Sequence, residues 1–259
     1  KFLGNIRECD AIIHVIRCFD DDNVVREGGA PVNPVQDKEI IDTELQLKDL
    51  DTIEAQLAKN QKIAAIGNNK DAKVLVTVLE AYKEALEQGR NARSVTFESK
   101  EEQQAAHDLF LLTTKPVLYV CNVDEASAKE GNQYSRQIEE IAASEGAEAM
   151  VIAAKTEEDI ADYSPEEKKE FLAEMGIEAS GLDNLITASY DLLGLISFLT
   201  DGKKECRAWT IRKGTKAPQA AGKIHSDFER GFIRAEVIAF NDLMACGTMA
   251  AAKEKGLVR

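Results

Sequence analysis

The chain has 259 residues, a formal net charge of −14 and 44% hydrophobic residues. That length is enough for two domains, or for one core domain with an insertion, and the composition can bury a sizeable core. The acidic charge argues against a protein that coats nucleic acid, because duplex affinity depends on neutralising phosphates. No apolar run reaches membrane-spanning length, and the first residues do not form a signal peptide. We therefore expect neither a DNA nor a membrane partner.

The cysteines and histidines exclude two further classes of protein. The five cysteines are an odd number, lie far apart and form no C-x-x-C pair, and the three histidines lack metal-ligand spacing. This pattern favours reduced thiols in a cytoplasmic protein over a disulfide framework or a zinc site. Three adjacent acids, Asp20, Asp21 and Asp22, are more typical of a solvated loop than of a metal site, so we expect no metal ligands in these residues.

The first 111 residues are predicted to be mainly helical. A short amphipathic helix (residues 1–9) precedes an apolar strand (residues 11–19), in which His14 is expected to be a core histidine. Asn33 and Pro34 form a helix start, and apolar spacing continues the helix to about Asn60. A second helix is predicted for residues 71–88, so the two form an antiparallel hairpin with a coiled-coil seam. A third helical stretch covers residues 101–111.

The stretch KPVLYVCNVDE (residues 115–125) is predicted to be a strand buried on both faces, as in a parallel sheet. It ends abruptly at Asn122 and the carboxylates that follow. A helix (residues 133–144) and a second apolar strand (residues 149–152) complete a βαβ unit, which places the two strand ends side by side. Ligands bind beyond the carboxyl ends of such strands. On local chemistry alone, a solvated loop whose Asn and Asp make turns is the favoured interpretation of these residues.

The C-terminal part of the chain differs in charge from the rest. Ser164 predicts a capping box, and a last amphipathic helix is predicted for residues 182–195. Beyond Thr200 a strand (residues 206–211), a small-residue loop (residues 217–222) and a basic aromatic element (residues 224–234) follow. Residues 201–235 hold nine Lys/Arg against four Asp/Glu. We expect a separate small domain from residue 201.

Several long segments together resemble one known family. KFLGNIRECDAIIHVIRCF, VNPVQDKEIIDTELQLKDLD, the NVDE strand end and RAWTIRKGTKAPQAAGKIHSDFERGFIRAEVI resemble the YchF subfamily of Obg-like, translation-factor-related P-loop ATPases. The resemblance implies an α/β fold with a partial Ras-like nucleotide-binding sheet (residues 1–33 and 112–200). It also implies a helical-hairpin insertion (residues 34–111) and a partial α+β TGS domain (residues 201–259).

A purine site is expected at the sheet edge. Its residues would be Phe19, Asn122, Val123, Glu125 and the Ala153, Ala154, Lys155 turn. The related GTPases carry Asn-Lys-x-Asp at the NVDE position, where the Asp binds two donors of guanine. Here the carboxylate is the longer Glu125, and Val123 replaces the lysine. The resemblance therefore implies that ATP binds at least as well as GTP.

Two features depart from the family pattern. The chain contains no G-x-x-x-x-G-K-[ST], the loop that cradles phosphates and provides the hydroxyl for Mg²⁺. The family carries that loop upstream, so we expect the chain to be a fragment that does not hydrolyse nucleotide alone. Arg26 stands where the family commonly has a histidine implicated in hydrolysis, which makes it a candidate catalytic residue.

Taken together, the sequence predicts a cytoplasmic, ribosome-associated switch that binds and hydrolyses ATP, with Mg²⁺ held through the upstream segment. Ribosome and RNA contacts are expected through the TGS domain and the hairpin. The alternative is a non-catalytic ribosome- or RNA-binding module in which the sheet is only a scaffold. An aminoacyl-tRNA synthetase appendage shares the TGS resemblance but leaves the nucleotide-type sheet unexplained.

Overall fold

The computed structural model describes residues 2–26, 29–66, 69–202 and 205–259. These form two compact units, Lys1–Leu193 and Gly194–Arg259. The second unit begins earlier than the boundary predicted at residue 201. The reason is a strand at Leu195–Asp201 that pairs with the strand Cys206–Arg212, so that both belong to one unit.

The first unit is built on a three-stranded parallel sheet. Its strands are β1 (Ile12–Arg17), β2 (Val117–Asn122) and β3 (Glu148–Ile152), in the order β1-β2-β3. All residues of β2 before Asn122 are buried, which confirms the prediction of a strand covered on both faces. The carboxyl ends of the three strands therefore lie at the same edge of the sheet.

Five helices accompany this sheet in the first unit: α1 (Phe2–Glu8), α5 (Gln133–Glu145), α6 (Ala154–Asp159), α7 (Pro165–Glu174) and α8 (Gly181–Leu192). Helix α5 packs Ile138 and Ala142 into the core beside Tyr119. Gly146 ends α5 in the left-handed conformation that favours glycine. The predicted capping box at Ser164 is present at the start of α7.

The predicted hairpin is formed by α2 (Pro34–Ile66) and α3 (Lys70–Glu87), with α4 (Lys100–His107) packed on α3. Its apolar seam includes the buried residues Ile53, Leu57, Val78, Leu79 and Leu86. Helix α2 continues past the predicted end near Asn60. Two residues of the turn, 67 and 68, lie outside the described residues.

The described residues of the second unit form β4 (Leu195–Asp201), the antiparallel strand β5 (Cys206–Arg212) and four short helices. These are α9 (Ala217–Ile224), α10 (Ser226–Arg230), α11 (Phe240–Cys246) and α12 (Met249–Glu254).

One sequence prediction for this region was wrong, and one predicted helix ends earlier than expected. The segment 217–222 is not a loop but most of α9, because a proline in the first turn and three alanines favour a helix. Helix α8 ends at Leu192, since the residues from Leu195 onward form β4 and pair with β5.

The cysteines, the potential metal ligands and the apolar helices of the described residues were compared with what disulfide, metal and membrane proteins require. All five cysteines are free. No group of three or more potential metal ligands occurs among residues that the structure describes. Within the same ranges, no helix combines the length and the apolar character needed to cross a bilayer.

Candidate nucleotide-binding site

Asn122 connects the three strand ends. Its side-chain Oδ1 accepts a hydrogen bond from the backbone N–H of Ala154 at 3.0 Å. Its carbonyl accepts from the N–H of Cys18 at 2.7 Å, and the next residue, Val123, donates to the carbonyl of Ile152 at 2.9 Å. The predicted site segments after β1, β2 and β3 are thus joined at one residue, which orders the edge where a ligand would bind.

Val123 does not present its side chain at this edge. The side chain is 3% exposed and lies in the core cluster with Cys18, Cys121 and Ala153. Val123 therefore has no side chain to offer a ligand, and its N–H is already donated to Ile152. Its apolar side chain instead anchors the loop to the sheet.

Glu125 is exposed and begins a 3₁₀ turn, Glu125–Ser127. The turn is held by the preceding carboxylate, since Asp124 Oδ1 accepts the N–H of Ser127 at 2.9 Å. Asp124 therefore has a capping role, while the carboxylate of Glu125 stays open to solvent. Both acids are exposed, and they differ in that the Asp124 carboxylate is engaged by the turn.

The segment after β3 is helical rather than a simple turn. Ala153 is buried, and Ala154 begins α6 with its N–H on Asn122. Lys155 is exposed and pairs along its own helix, with Nζ 2.8 Å from Asp159 and 3.1 Å from Glu158. The hydrogen bonds to Asp159 and Glu158 raise the pKa of Lys155. To lie across a base, this side chain would have to leave both carboxylates.

Phe19 lies beside a polar cavity of about 210 Å³. The guanidinium carbon of Arg17 is 4.9 Å from the centre of the Phe19 ring. The cavity is lined by Phe19, Asp20, Asp124, Ser127, Asn132, Gln133 and Tyr134. This volume is smaller than the ~300–1,000 Å³ typical of ligand pockets. The cavity alone therefore does not accommodate a nucleotide.

Asn132 and Tyr134 are two lining residues that the sequence prediction missed. The Asn132 amide donates to the carbonyl of Cys18 at 2.7 Å and caps α5 with its Oδ1. The Tyr134 hydroxyl lies 3.1 Å from Asp20. The signal for Asn132 was its position just before an amphipathic helix, which is typical of an N-cap.

Arg26 is engaged at the start of the hairpin. Its guanidinium pairs with Asp37 of α2 and donates to the carbonyl of Pro31, and its side chain is 16% exposed. Residues 27 and 28, which follow it, lie outside the described residues. A role on phosphate would require Arg26 to give up Asp37.

A larger cleft, of about 680 Å³, shares no residue with this site. It is lined among others by Arg7, Tyr82, Phe97, Phe110 and Lys115.

Comparison with known proteins gives one consistent result. "Ribosome-binding ATPase YchF" of Bacillus subtilis is 51% identical over 261 residues, which cover all of this chain and 70% of the relative. The protein of the same name from Escherichia coli O157:H7 is 48% identical, again over all of this chain and 70% of the relative. The chain belongs to the YchF family.

Two further comparisons agree with membership of the YchF family. The family described as "YchF-GTPase_C: Protein of unknown function (DUF933)" matches residues 195–259, close to the bounds of the second unit. The "Structure of the Schizosaccharomyces pombe YchF GTPase" superposes with a TM-score of 0.86 at 34% identity, covering all of this chain and 70% of that one. The α/β fold expected from the resemblance is thereby confirmed.

Proposed function

We propose that this YchF chain provides the base-binding edge and the ribosome-contacting surfaces of a ribosome-associated ATPase. The observation that carries the proposal is the Asn122–Ala154 hydrogen bond, which joins the loops after β2 and β3. Open α/β sheets bind their ligands at this position. The relatives named as ribosome-binding ATPases support the ribosome and nucleotide parts of the proposal, and with them a cytoplasmic location.

The proposed base preference is for adenine. Guanine offers two donors on one edge, which a correctly placed Asp carboxylate accepts together. Adenine offers an acceptor at N1 and a donor at N6. The exposed carboxylate of Glu125 is one methylene longer than Asp, so it is displaced from the position that suits both guanine donors. We propose that ATP therefore binds at least as well as GTP.

Hydrolysis of the γ-phosphate depends mostly on positioning and charge stabilisation around the phosphates. These 259 residues contain no G-x-x-x-x-G-K-[ST] motif to cradle phosphates or to supply the hydroxyl for Mg²⁺. Asn122, Glu125 and the Ala153–Lys155 segment would hold only the base. We expect the chain alone to bind nucleotide weakly and to show no turnover above a buffer blank.

The base preference is tested by titrating the whole chain with ATP and with GTP in equilibrium dialysis at millimolar ligand. Replacing Glu125 with Asp should shift the preference toward GTP by about 1 kcal/mol, the lower end of the worth of a good bidentate base contact. Val123 is left unchanged, because a lysine at this buried position would place an ammonium group in the core.

Glu130→Asp is the matched control, since Glu130 is also exposed and lies in the same loop region. It should leave both affinities unchanged. A strong preference of the unaltered chain for GTP would contradict the proposed base choice.

The proposed ribosome contact of the second unit is its set of basic residues. Those within the described residues are all exposed: Arg207, Arg212, Lys213, Lys216, Lys223, Arg230 and Arg234. Lys203 and Lys204, also predicted to contribute, lie outside the described residues. The Arg207 guanidinium stacks over the ring of the half-buried Trp209 at 4.3 Å, so one cation is held in place by an aromatic neighbour.

Charge reversal of Arg212, Lys213 and Lys216 to Glu should reduce co-sedimentation with ribosomes and leave ATP affinity unchanged. Raising the salt concentration should weaken co-sedimentation of the unaltered chain steeply, because each neutralised phosphate releases counterions. If co-sedimentation responds to neither change, these basic residues do not dock on the ribosome. If co-sedimentation persists while ATP and GTP fail to bind at all, the non-catalytic module is the better description.

A further inference from the structure

A cleft of about 680 Å³ lies beside α1 in the first unit, and we call it the α1 cleft. Its volume falls within the ~300–1,000 Å³ typical of small-molecule sites. The polar part of its lining includes residues 7–10 at the end of α1, and the aromatic part includes Tyr82, Phe97 and Phe110. Apolar walls with a few polar groups are the usual composition of a ligand site.

Tyr82 brings an unpartnered hydroxyl to this cleft. The residue is only 4% exposed, and its ring packs edge-on against Phe97 with the ring centres 5.3 Å apart. Within the described residues its hydroxyl has no hydrogen-bond partner, although every fully enclosed side-chain N or O atom there has one. The hydroxyl therefore keeps some accessible surface, and it faces the cleft that Tyr82 lines. Burial raises the pKa of Tyr82 to about 12, so the hydroxyl is protonated at neutral pH and can donate or accept.

The two long cations of the cleft are already engaged by the protein. Arg7 Nη1 donates to the carbonyl of Phe110 at 3.1 Å, and Arg7 Nη2 lies 3.7 Å from the buried carboxylate of Asp49. Lys115 Nζ donates to the carbonyl of Arg7 at 3.0 Å and to the carbonyl of Cys9. These bonds fix the end of α1 to the stretch before β2. The two cations therefore shape the cleft wall and are not free for an anionic ligand.

The free charge of the cleft is negative. Glu8 and Asp10 line it, both are exposed, and neither forms an ion pair within the described residues. Aromatic rings lie in the same lining, and the face of an aromatic ring attracts a cation. Carboxylates beside aromatic rings are therefore suited to a ligand that carries both a positive charge and an apolar body.

Phe110 adds a second indication that the aromatic lining serves a ligand. Among the described residues it is the only non-glycine residue in the left-handed region, with a φ of 48°. Bulky residues adopt this conformation at a cost in free energy, and such residues are common at ligand sites. Its side chain is 56% exposed, so the ring has surface left to pack on a ligand.

We infer that the α1 cleft binds a small amphipathic amine. The ammonium group would pair with Glu8 and Asp10, the apolar body would pack on Phe97 and Phe110, and the Tyr82 hydroxyl would supply a hydrogen bond. The inference goes beyond the proposed function, because the α1 cleft shares no residue with the sheet edge. A peptide with adjacent aromatic and basic side chains carries the same groups, so the test compares the two sources.

The probe is tryptamine, an indole with a primary ammonium group, titrated into the whole chain by isothermal calorimetry. We expect tryptamine to bind. The related 3-indolepropionate carries a carboxylate on the same ring system and should bind at least about tenfold more weakly, because like charges repel. A blocked Phe-Lys dipeptide amide represents the peptide source and should also bind more weakly, because its backbone adds polar groups that must be desolvated.

Cys9 provides an independent readout, since it lines the cleft and is exposed. Saturating tryptamine should slow the alkylation of Cys9 by iodoacetamide several-fold, as followed by peptide mass spectrometry. The exposed Cys206 of the second unit is the internal reference, and its alkylation rate should not change.

Two changes test the acids and the hydroxyl. Glu8→Gln with Asp10→Asn should weaken tryptamine binding about fivefold, as expected for the loss of exposed ion pairs. Glu39→Gln with Glu44→Gln is the matched control, because it removes the same charge from exposed positions of α2 that do not line the cleft.

Tyr82→Phe keeps the ring and removes the hydroxyl, and should weaken tryptamine binding about fivefold through the loss of one hydrogen bond. Tyr163→Phe is its control, since Tyr163 does not line the cleft. Both control variants should bind tryptamine like the unaltered chain.

The inference is overturned if tryptamine does not bind, if 3-indolepropionate binds equally well, or if Cys206 is protected as much as Cys9. It is also overturned if the acid and Tyr82 variants bind tryptamine like the unaltered chain, or if the control variants lose as much affinity. Tighter binding of the dipeptide amide would assign the cleft to a peptide segment and not to a small amine. None of these results involves ATP binding or ribosome co-sedimentation, which test the proposed function separately.

Discussion

Asp49 shows how one buried carboxylate attaches the hairpin to the sheet. It lies on α2, is completely buried and accepts hydrogen bonds from the N–H of Leu112 at 2.9 Å and of Thr113 at 2.7 Å. The Thr113 hydroxyl donates to it at 2.8 Å. Burial raises the pKa of Asp49, and these hydrogen bonds oppose the rise. The carboxylate satisfies backbone groups just before β2 that would otherwise be unpaired in the interior.

Asp49→Ala is expected to lower the free energy of unfolding of the first unit by about 3 kcal/mol. The change leaves two buried N–H groups without acceptors and removes a charge-assisted set of bonds. The measurement is urea unfolding followed by circular dichroism. Asp51→Ala is the control, because Asp51 is 72% exposed on the same helix, and its loss should cost less than about 0.5 kcal/mol. Similar costs for the two variants would show that Asp49 has no special anchoring role.

Between elements, a second contact links α2 to the sheet and to the end of α5. Lys38 Nζ lies 2.7 Å from Asp42 and also binds Glu145 of α5. Glu145 accepts the Tyr119 hydroxyl of β2 at 2.8 Å and pairs with Arg93 at 3.3 Å. Burial disfavours the charged forms of both side chains. The hydrogen bonds to their partners outweigh this cost, so the pKa of Lys38 is raised and the pKa of Glu145 is lowered.

A double-mutant cycle on Lys38→Met and Glu145→Gln tests this link. Each single change should destabilise the first unit by about 1.5 kcal/mol, because it removes one charge-assisted hydrogen bond while Asp42 still pairs with Lys38, or Arg93 with Glu145. The double variant should lose at least 1 kcal/mol less than the sum. Urea unfolding gives all four free energies. Additive losses would mean that the two side chains stabilise α2 and α5 separately.

The same cycle predicts a pH dependence with a definite sign. The pKa of Glu145 in the folded chain lies below its ordinary value of 4.5. Its contribution to stability is therefore present above pH 4.5, and is lost as the pH falls through the folded pKa. Glu145→Gln should remove this part of the acid sensitivity. An unchanged acid-unfolding profile would contradict the predicted pKa direction.

At the scale of the whole molecule, the two units differ in how much core they hold. The first unit buries β2 and a hairpin seam, whereas Ile211 and Ala252 are the only buried hydrophobic residues among the described positions of Gly194–Arg259. A unit with so little buried apolar surface has little to offset its conformational entropy. We expect its local stability to be lower than that of the sheet.

Hydrogen exchange followed by mass spectrometry checks this expectation. Amides of β4 and β5 should exchange well before those of β2, because opening of the second unit costs less free energy. Amides of α5, which packs on the sheet, serve as the protected reference. Equal protection of β2 and β5 would show that the second unit gains stability from contacts other than an internal core.

Much of this architecture was determined by the sequence itself. The buried strand β2, the hairpin seam and the capping box at Ser164 follow from apolar periodicity and cap chemistry, which are local properties. The family was evident from long matching segments, and the end of β2 at Asn122 followed from the abrupt change to polar residues. Strand β4 was missed because it is defined by its pairing with β5, which the local sequence does not show. Helix α9 was missed because its glycine and proline suggested a loop, whereas its alanines favour a helix.

Only the tertiary structure decided which side chains face outward and which charges remain free. Val123 and Glu125 are two residues apart, yet one is buried in the core and the other is open to solvent. Lys38 is neutralised by Glu145, which lies 107 positions away, whereas Lys62 on the same helix has no such partner within the described residues. The physical reason is that burial and ion pairing depend on which residues the fold brings together, and neither periodicity nor composition records partners that lie far apart along the chain.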